Sequence, residues 1–302
     1  KELAFIEKNQ LTCYFLTDEN YPKRLKECSD APVLLYFKGG ADLNASRIIS
    51  IVGTRHATEY GRAMTDELVH TLSFSIPNLL IVSGLAYGID VCAHRAALKA
   101  NLPTVGVLAH GLDRIYPPSH RSVAVDMLDR GGLLTEFRSG TEPDKPNFVR
   151  RNRIVAGMAD ATVVIESAEK GGSLITADLA FSYGRDVYAF PGRVNDLHSK
   201  GCNALIRQNK AGLITSASDL ISALCWDIKE TASSLPVQTE LFFGEDERTA
   251  PVITVLRERG EMHIDQLAVA LNLTVRELSS LLFELEMNGL IRTLPGNIYR
   301  LA

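Results

Sequence analysis

The 302 residues are 46% hydrophobic and 23% charged with a formal net charge of -4, the balance of a globular chain and not of a disordered one. No apolar run reaches the ~18 residues of a membrane-spanning helix, and no signal-peptide pattern opens the chain. The five cysteines, Cys13, Cys28, Cys92, Cys202 and Cys225, form no Cys-x-x-Cys pair, which disfavours a disulfide framework or a zinc site and points to the reducing cytoplasm.

A chain of this length is expected to form two or three domains, and its start at Lys1 without methionine leads us to expect a preceding segment. Residues 1–45 read as a lead-in that packs on the core: an extended piece, LTCYFL, a helix start at YPKRLKE, then VLLYFKGG. From RIISIV onward the pattern becomes strand, glycine-rich turn and helix, repeated. Strands are predicted at 47–52, 79–82, 104–108, 132–135, 161–165, 186–190 and 212–214. They are short, rich in Val, Ile and Leu, and alternate little, as parallel strands buried on both faces do. Helical patterns fill the gaps, as in AHRAALKA at 93–100 and ITADLAFSYG at 175–184. Over 46–228 this alternation predicts an α/β domain: an extended Rossmann-like, doubly wound, mostly parallel sheet. Residues 229–248, with a Ser-Ser pair, a proline and the acidic run ELFFGEDE, read as a linker. Residues 249–302 read as a C-terminal winged helix-turn-helix. IDQLAVALNL is helical, TVRELSSLLFELEMNG opens on a Thr-x-x-Glu capping box and stops at Gly289, and IRTL-PGN-IYRL forms a hairpin.

Glycines gather where the βα turns of such a sheet fall: Gly53, Gly84, Gly88, Gly111, Gly171, Gly172 and Gly192. Glycine lets backbone approach an anion, and the following helix N-terminus offers free N–H groups. Arg55 and Arg193 accompany two of these turns, and KPNFVRRNR at 145–153 adds a basic cluster. Arginine's planar fork suits phosphate, so an extended anionic ligand is expected. Tyr87 and Phe148 offer stacking surfaces for unpaired bases, or equally a core or lid role. SIVGTRHATEYG lacks the close glycine pair of a dinucleotide fold, and no G-x-x-x-x-G-K-[ST] loop is present.

Catalytic signals are sparse. Glu136 and Glu166 stand at strand ends and suit a general base, or carboxylates that orient loop N–H groups or pair with arginines, which is the preferred reading. His94 and His110 have no partner by spacing, and no catalytic, metal or cofactor site is expected. In the winged helix, Glu261, Asp265, Glu277, Glu284 and Glu286 face a single Arg276 between 261 and 288. A second helix so charged is repelled by a phosphate backbone, so the module reads as a protein-contact or structural unit, with Arg292 and Arg300 on the wing as counter-evidence.

The motifs YP..L at 21–25, APVLLYFKG, SIVGTR, SGLAYGID..AH, GLDRIYPP, FVRRNRIVAG, GGSLITA, AFPG and G.NALI at 201–206 together resemble the DNA-processing protein A (DprA/Smf) family. The likeness spans residues 10–215 with the motif order intact. It implies a non-enzymatic protein that binds single-stranded DNA during natural transformation, protects it and loads the RecA recombinase, as a homodimer through its Rossmann-like domain. Carried onto this chain, the nucleic-acid site comprises Gly53, Thr54 and Arg55; Ser83, Gly84, Tyr87 and Gly88; Arg150, Arg151, Asn152 and Arg153; Gly171, Gly172, Ser173 and Thr176; and Arg193 and Asn203. A rival reading is a phosphoribohydrolase acting on nucleoside monophosphates. Its P-G-G-x-G-T-x-x-E motif is matched only by KGGSLITAD, which lacks the third glycine and the terminal glutamate.

Overall fold

The computed structural model describes residues 1–226, 249–288, 290–294 and 297–301. The chain divides into two compact units, Lys1–Thr231 and Ala232–Ala302. The expected linker at 229–248, the helix stop at Gly289 and the tip of the expected hairpin at 295–296 lie outside the described residues.

In the first unit the predicted strands appear as β3 (Arg47–Val52), β4 (Leu79–Ser83), β5 (Thr104–Val107), β6 (Gly132–Thr135), β7 (Ala161–Val164), β8 (Asp186–Ala189) and β9 (Gly212–Leu213). Their ends differ from expectation by at most one residue, within the usual fraying of element boundaries. The lead-in does more than pack on the core. Its β1 (Thr12–Phe15) and β2 (Leu34–Gly39) join the sheet, β2 antiparallel to β6 with Tyr36 opposite Thr135, and β1 antiparallel to β2. The result is a nine-stranded sheet of order β1-β2-β6-β5-β4-β3-β7-β8-β9, in which every pairing from β6 to β9 is parallel. Two antiparallel strands thereby cover the β6 edge, which would otherwise expose unpaired backbone groups.

Residues of β3 alternate between the sheet's two faces, following the two-residue period of a strand. Ile48 and Val52 join a core with α6 (Lys145–Gly157) and α7 (Gly172–Ser182), while Ile49 and Ile51 join one with α3 (Glu59–Ser75), α4 (Ile89–Lys99) and α9 (Ala217–Ala223). Ser50, between them, is fully buried and donates its hydroxyl proton to Val155 O on α6. The short helices α1 (Glu2–Asn9) and α2 (Lys23–Lys26) belong to the lead-in, and α5 (Arg121–Asp126) and α8 (Lys200–Arg207) complete the unit. Arg24 of α2 contacts Asp160 at 2.6 Å, and the other Asp160 oxygen accepts from Ile48 N at 2.8 Å, clamping the lead-in to the start of β3.

The chain runs outward from β3 through β4 and β5 to β6, then returns by α6 to lay β7 on the other side of β3. The loops leaving β3 and β7 therefore diverge at a topological switch point, where open α/β sheets hold their ligands.

The second unit is a winged helix: α10 (Ala250–Arg259), β10 (Met262–His263), α11 (Ile264–Leu271), α12 (Val275–Met287), β11 (Ile291–Leu294) and β12 (Ile298–Leu301). Thr274 and Glu277 close the expected capping box at the start of α12. The hairpin gains an unforeseen third strand, β10, paired to β12. Two residues are too few to show a period, so β10 leaves no signal in the pattern. Leu256, Leu267, Leu278, Leu282 and Leu285 fill this unit's core.

Candidate nucleic-acid interface

A cleft of about 700 Å³ opens at the carboxyl ends of β3, β4 and β7. One wall is the Gly53–Arg55 turn; the first turns of α6 and the Gly171–Ser173 start of α7 form the others. Asp144 caps α6 by accepting from Asn147 N at 3.0 Å, with Pro146 in the first turn. Residues three and four apart on a helix share a face, so Lys145, Phe148, Arg151, Asn152 and Val155 line the cleft together. Arg150 and Arg153 fall on the opposite face and converge on the buried Glu136, at 2.7 and 2.6 Å. The arginine cluster is thus divided by helical periodicity.

Arg55 lies with its guanidinium carbon 5.1 Å from the Phe148 ring centroid, and Tyr116 stands 5.9 Å from the same ring. Cation and aromatic faces so placed attract one another and present a mixed surface to a ligand. Gly171 has no side chain with which to cap α7, and none caps it. The first N–H groups of an uncapped helix seek partners and carry partial positive charge. Here they face the cleft beside Lys170.

Beneath the cleft Arg151 is only 4% exposed and donates from Nη1 to Val107 O at 2.7 Å. Burial pushes the Arg151 guanidinium below its ordinary pKa, with the nearby Asp90 opposing the shift. Burial raises the Asp90 carboxyl; Arg151, the Ala86 and Gly84 N–H groups and the Ser83 hydroxyl oppose this. Asp90 occupies the first turn of α4 and accepts from Ala86 N at 3.4 Å. Gly84 makes room for this arrangement, since a Cβ there would stand 1.8 Å from Arg151 Nη1.

Glu166 is buried and accepts from the Thr58 N–H at 2.9 Å and from the Thr58 hydroxyl, while its own carbonyl accepts from Thr54 N at 2.7 Å. It clasps both ends of the loop that carries Arg55. Glu136 and Glu166 are therefore engaged as orienting and pairing carboxylates. Asp178, which ends the KGGSLITAD stretch, pairs with Lys210 at 2.6 Å and does not line the cleft. His94 is fully buried, with Nδ1 2.7 Å from Thr104 Oγ1, and its pKa is pushed down to about 3 by burial, with Arg151 and His120 adding to the shift. His110 contacts Gly111 O at 2.9 Å and is also lowered, chiefly by burial. Among the described residues no group of three His, Cys, Asp or Glu side chains is placed to hold a metal ion.

Of the residues singled out from sequence, Gly53, Thr54, Arg55, Gly84, Arg151, Asn152, Gly171, Gly172, Ser173 and Thr176 line this one cleft. Ser83 does not: it is fully buried and donates to Ile51 O at 2.6 Å, because it is the last residue of β4 and not the first of the turn. Tyr87 and Gly88 face a separate basin across the Arg55 loop. Arg150 and Arg153 are paired with Glu136. Asn203 exchanges two hydrogen bonds with the Gly192 backbone, at 3.0 and 3.2 Å, holding that turn closed. Arg193 is exposed outside the cleft. Phe148, expected as a stacking surface, also lines it, and the structure adds Lys145, Lys170 and Tyr116.

Residues 12–225 match the family model described as DNA recombination-mediator protein A. The chain belongs to this family. Residues 244–297 match the DprA winged helix domain. The DNA processing protein DprA of Bacillus subtilis is 40% identical over 223 residues, covering 74% of each chain. Protein Smf of Escherichia coli is 34% identical over 289 residues, 94% of this chain and 75% of that protein. Among solved structures, DprA from Streptococcus pneumoniae superposes with a TM-score of 0.68 at 37% identity, over 74% of this chain and 78% of that one. DprA from Helicobacter pylori, described for its single-stranded DNA binding mode, gives 0.65 at 30% identity, over 72% and 97%. The family is described as a DNA recombination mediator.

Proposed function

We propose that this chain binds single-stranded DNA in the cleft between the Gly53–Arg55 turn, α6 and the start of α7. One observation carries the reading: Arg55, Lys145 and Lys170 line the cleft with no ion-pair partner among the described residues. Among the described lining residues the sole carboxylate, Asp90, lies buried near Arg151. Phosphates supply the missing negative charge, and the Phe148 ring beside Arg55 stacks an unpaired base, a surface that duplex DNA with its bases paired does not use. The H. pylori relative described as binding single-stranded DNA supports the same assignment.

As a family member the protein further protects incoming DNA and loads RecA during natural transformation. In this reading it works in the cytoplasm as a homodimer through the α/β unit. The winged helix serves protein contact: on α12, Val275, Phe283 and Met287 are exposed beside Glu284 and Glu286, a face suited to a protein and not to a phosphate backbone. Fluorescence anisotropy of labelled oligo-dT against the matching duplex, across a salt series, tests the first step. Binding must favour the single strand, with a log–log salt slope of about -0.7 for each phosphate neutralised; equal affinity for both forms defeats the reading. RecA assembly on coated single strands, with and without the protein, tests the second.

A further inference from the structure

A second basin, of about 620 Å³, lies on the far side of the Arg55 loop. Arg55 lines both cavities. The other prominent walls of the basin are Arg62 at the start of α3, Arg95 on α4, His56, Tyr87 and His120. No carboxylate is among its described lining residues. None of the three arginines takes part in an ion pair among the described residues. This is the opposite of Arg150 and Arg153 on α6, whose charge is met by Glu136.

The ridge between cleft and basin is thin. Gly88 adopts a φ of 78° and packs its backbone on the loop, with Ile89 N donating to Thr54 O at 3.2 Å. A Cβ at Gly88 would meet the backbone of Thr54 and Arg55, so glycine is what lets the start of α4 pack this closely on the Arg55 loop. Tyr87 is 49% exposed, and its ring meets the His120 ring edge-on at a centroid distance of 5.0 Å. His120 is itself fixed from below, its Nδ1 3.0 Å from Leu85 O. Tyr87 is therefore a braced aromatic face with one side free, beside unpaired guanidiniums. Each of these features recurs in grooves that track single strands by phosphate contact and base stacking.

We propose that single-stranded DNA leaving the cleft crosses Arg55 and continues into this basin, where Arg62 and Arg95 take backbone phosphates and Tyr87 stacks a base. The proposal rests on the cleft being a single-strand site, and it makes the protein's footprint longer than the cleft.

A length series separates the two ideas. Fluorescein-labelled oligo-dT of about 6 and about 16 nucleotides, both within the site sizes of single-strand modules, is titrated against the full chain. For Arg62→Ala/Arg95→Ala, affinity for the short strand stays at the wild-type value, while the long strand loses about tenfold and its salt slope shrinks by about 1.4, two phosphates' worth. Tyr87→Ala weakens the long strand at least about fivefold, and Tyr87→Phe restores it. Arg62 also donates to Ala57 O at 2.6 Å, so Arg95→Ala, in which no hydrogen bond to a described residue is broken, is the clean single variant. Equal losses on both lengths, or none on either, overturn the basin. Failure of the wild type to bind either length overturns the cleft reading instead.

Discussion

Gly84 and Arg151 fit one another as a missing side chain fits a buried one. The guanidinium occupies the space a Cβ at residue 84 would need, 1.8 Å from Nη1, and is pinned there by Val107 O at 2.7 Å. Gly84→Ala must expel Arg151 from its acceptor and from the neighbourhood of Asp90. Overpacking of this kind costs about 1–3 kcal/mol, and Arg151→Ala costs a similar amount by stranding a buried acceptor. The double variant is expected to cost less than the sum, because the three atoms nearest a Cβ at residue 84 all belong to Arg151. Urea unfolding of the four proteins gives the coupling; additive losses would show that the two residues do not share this space.

Arg55 and Arg150 have opposite expected phenotypes despite equal charge. Arg55→Ala is expected to weaken oligo-dT binding and to reduce the salt slope by about 0.7 for each phosphate left without its cation. Arg150→Ala removes a side chain already 2.7 Å from Glu136 and should leave affinity and slope unchanged. Anisotropy titrations at two salt concentrations decide it; a loss at Arg150 equal to that at Arg55 would place DNA on the wrong face of α6.

Much of this division is legible in the sequence, and some is not. The strands of the parallel core announce themselves through unbroken apolar runs, and the glycine turns mark the edge where the cleft lies. The arginine cluster misleads when it is taken as a string. At ~100° per residue, Lys145, Phe148, Arg151 and Asn152 fall on one side and Arg150 and Arg153 on the other, a test the sequence permits. Nothing local reveals that Arg151 is buried, since its acceptor is on β5 and its steric partner follows β4. The edge strands β1 and β2 are hidden by another cause: their partner β6 is remote in the chain, so only tertiary pairing makes them part of the sheet.

Glu166 holds the Arg55 loop without entering the cleft, so its loss should act through position. Glu166→Gln keeps the shape but weakens the bonds from the Thr58 N–H and hydroxyl, which as charge-assisted bonds contribute about 1.5–3 kcal/mol. The expected result is faster amide hydrogen exchange across residues 54–58 with a several-fold loss of oligo-dT affinity. A loss of affinity with exchange unchanged would instead assign Glu166 a direct role at the ligand.

The stability of the α/β unit should fall on mild acidification, and His94 is the residue to blame. Its folded pKa of about 3 lies below the ~6.5 of an exposed imidazole, so the unfolded chain takes up the proton first. The neutral buried ring therefore contributes stability that is full above about pH 6.5 and is drained as pH falls toward the folded value. Between about pH 7 and pH 5 this one group accounts for about 2 kcal/mol. His110, also lowered by burial, acts in the same direction. Asp90 acts in the other: its raised carboxyl gives stability present below the unfolded value and lost as pH rises through the folded one. His94→Gln keeps a polar group near Thr104 but cannot take a proton in this range, so its urea midpoint should change less between the two pH values than the wild type's. If both proteins lose stability equally, the acid sensitivity originates elsewhere and the buried His94 is not its source.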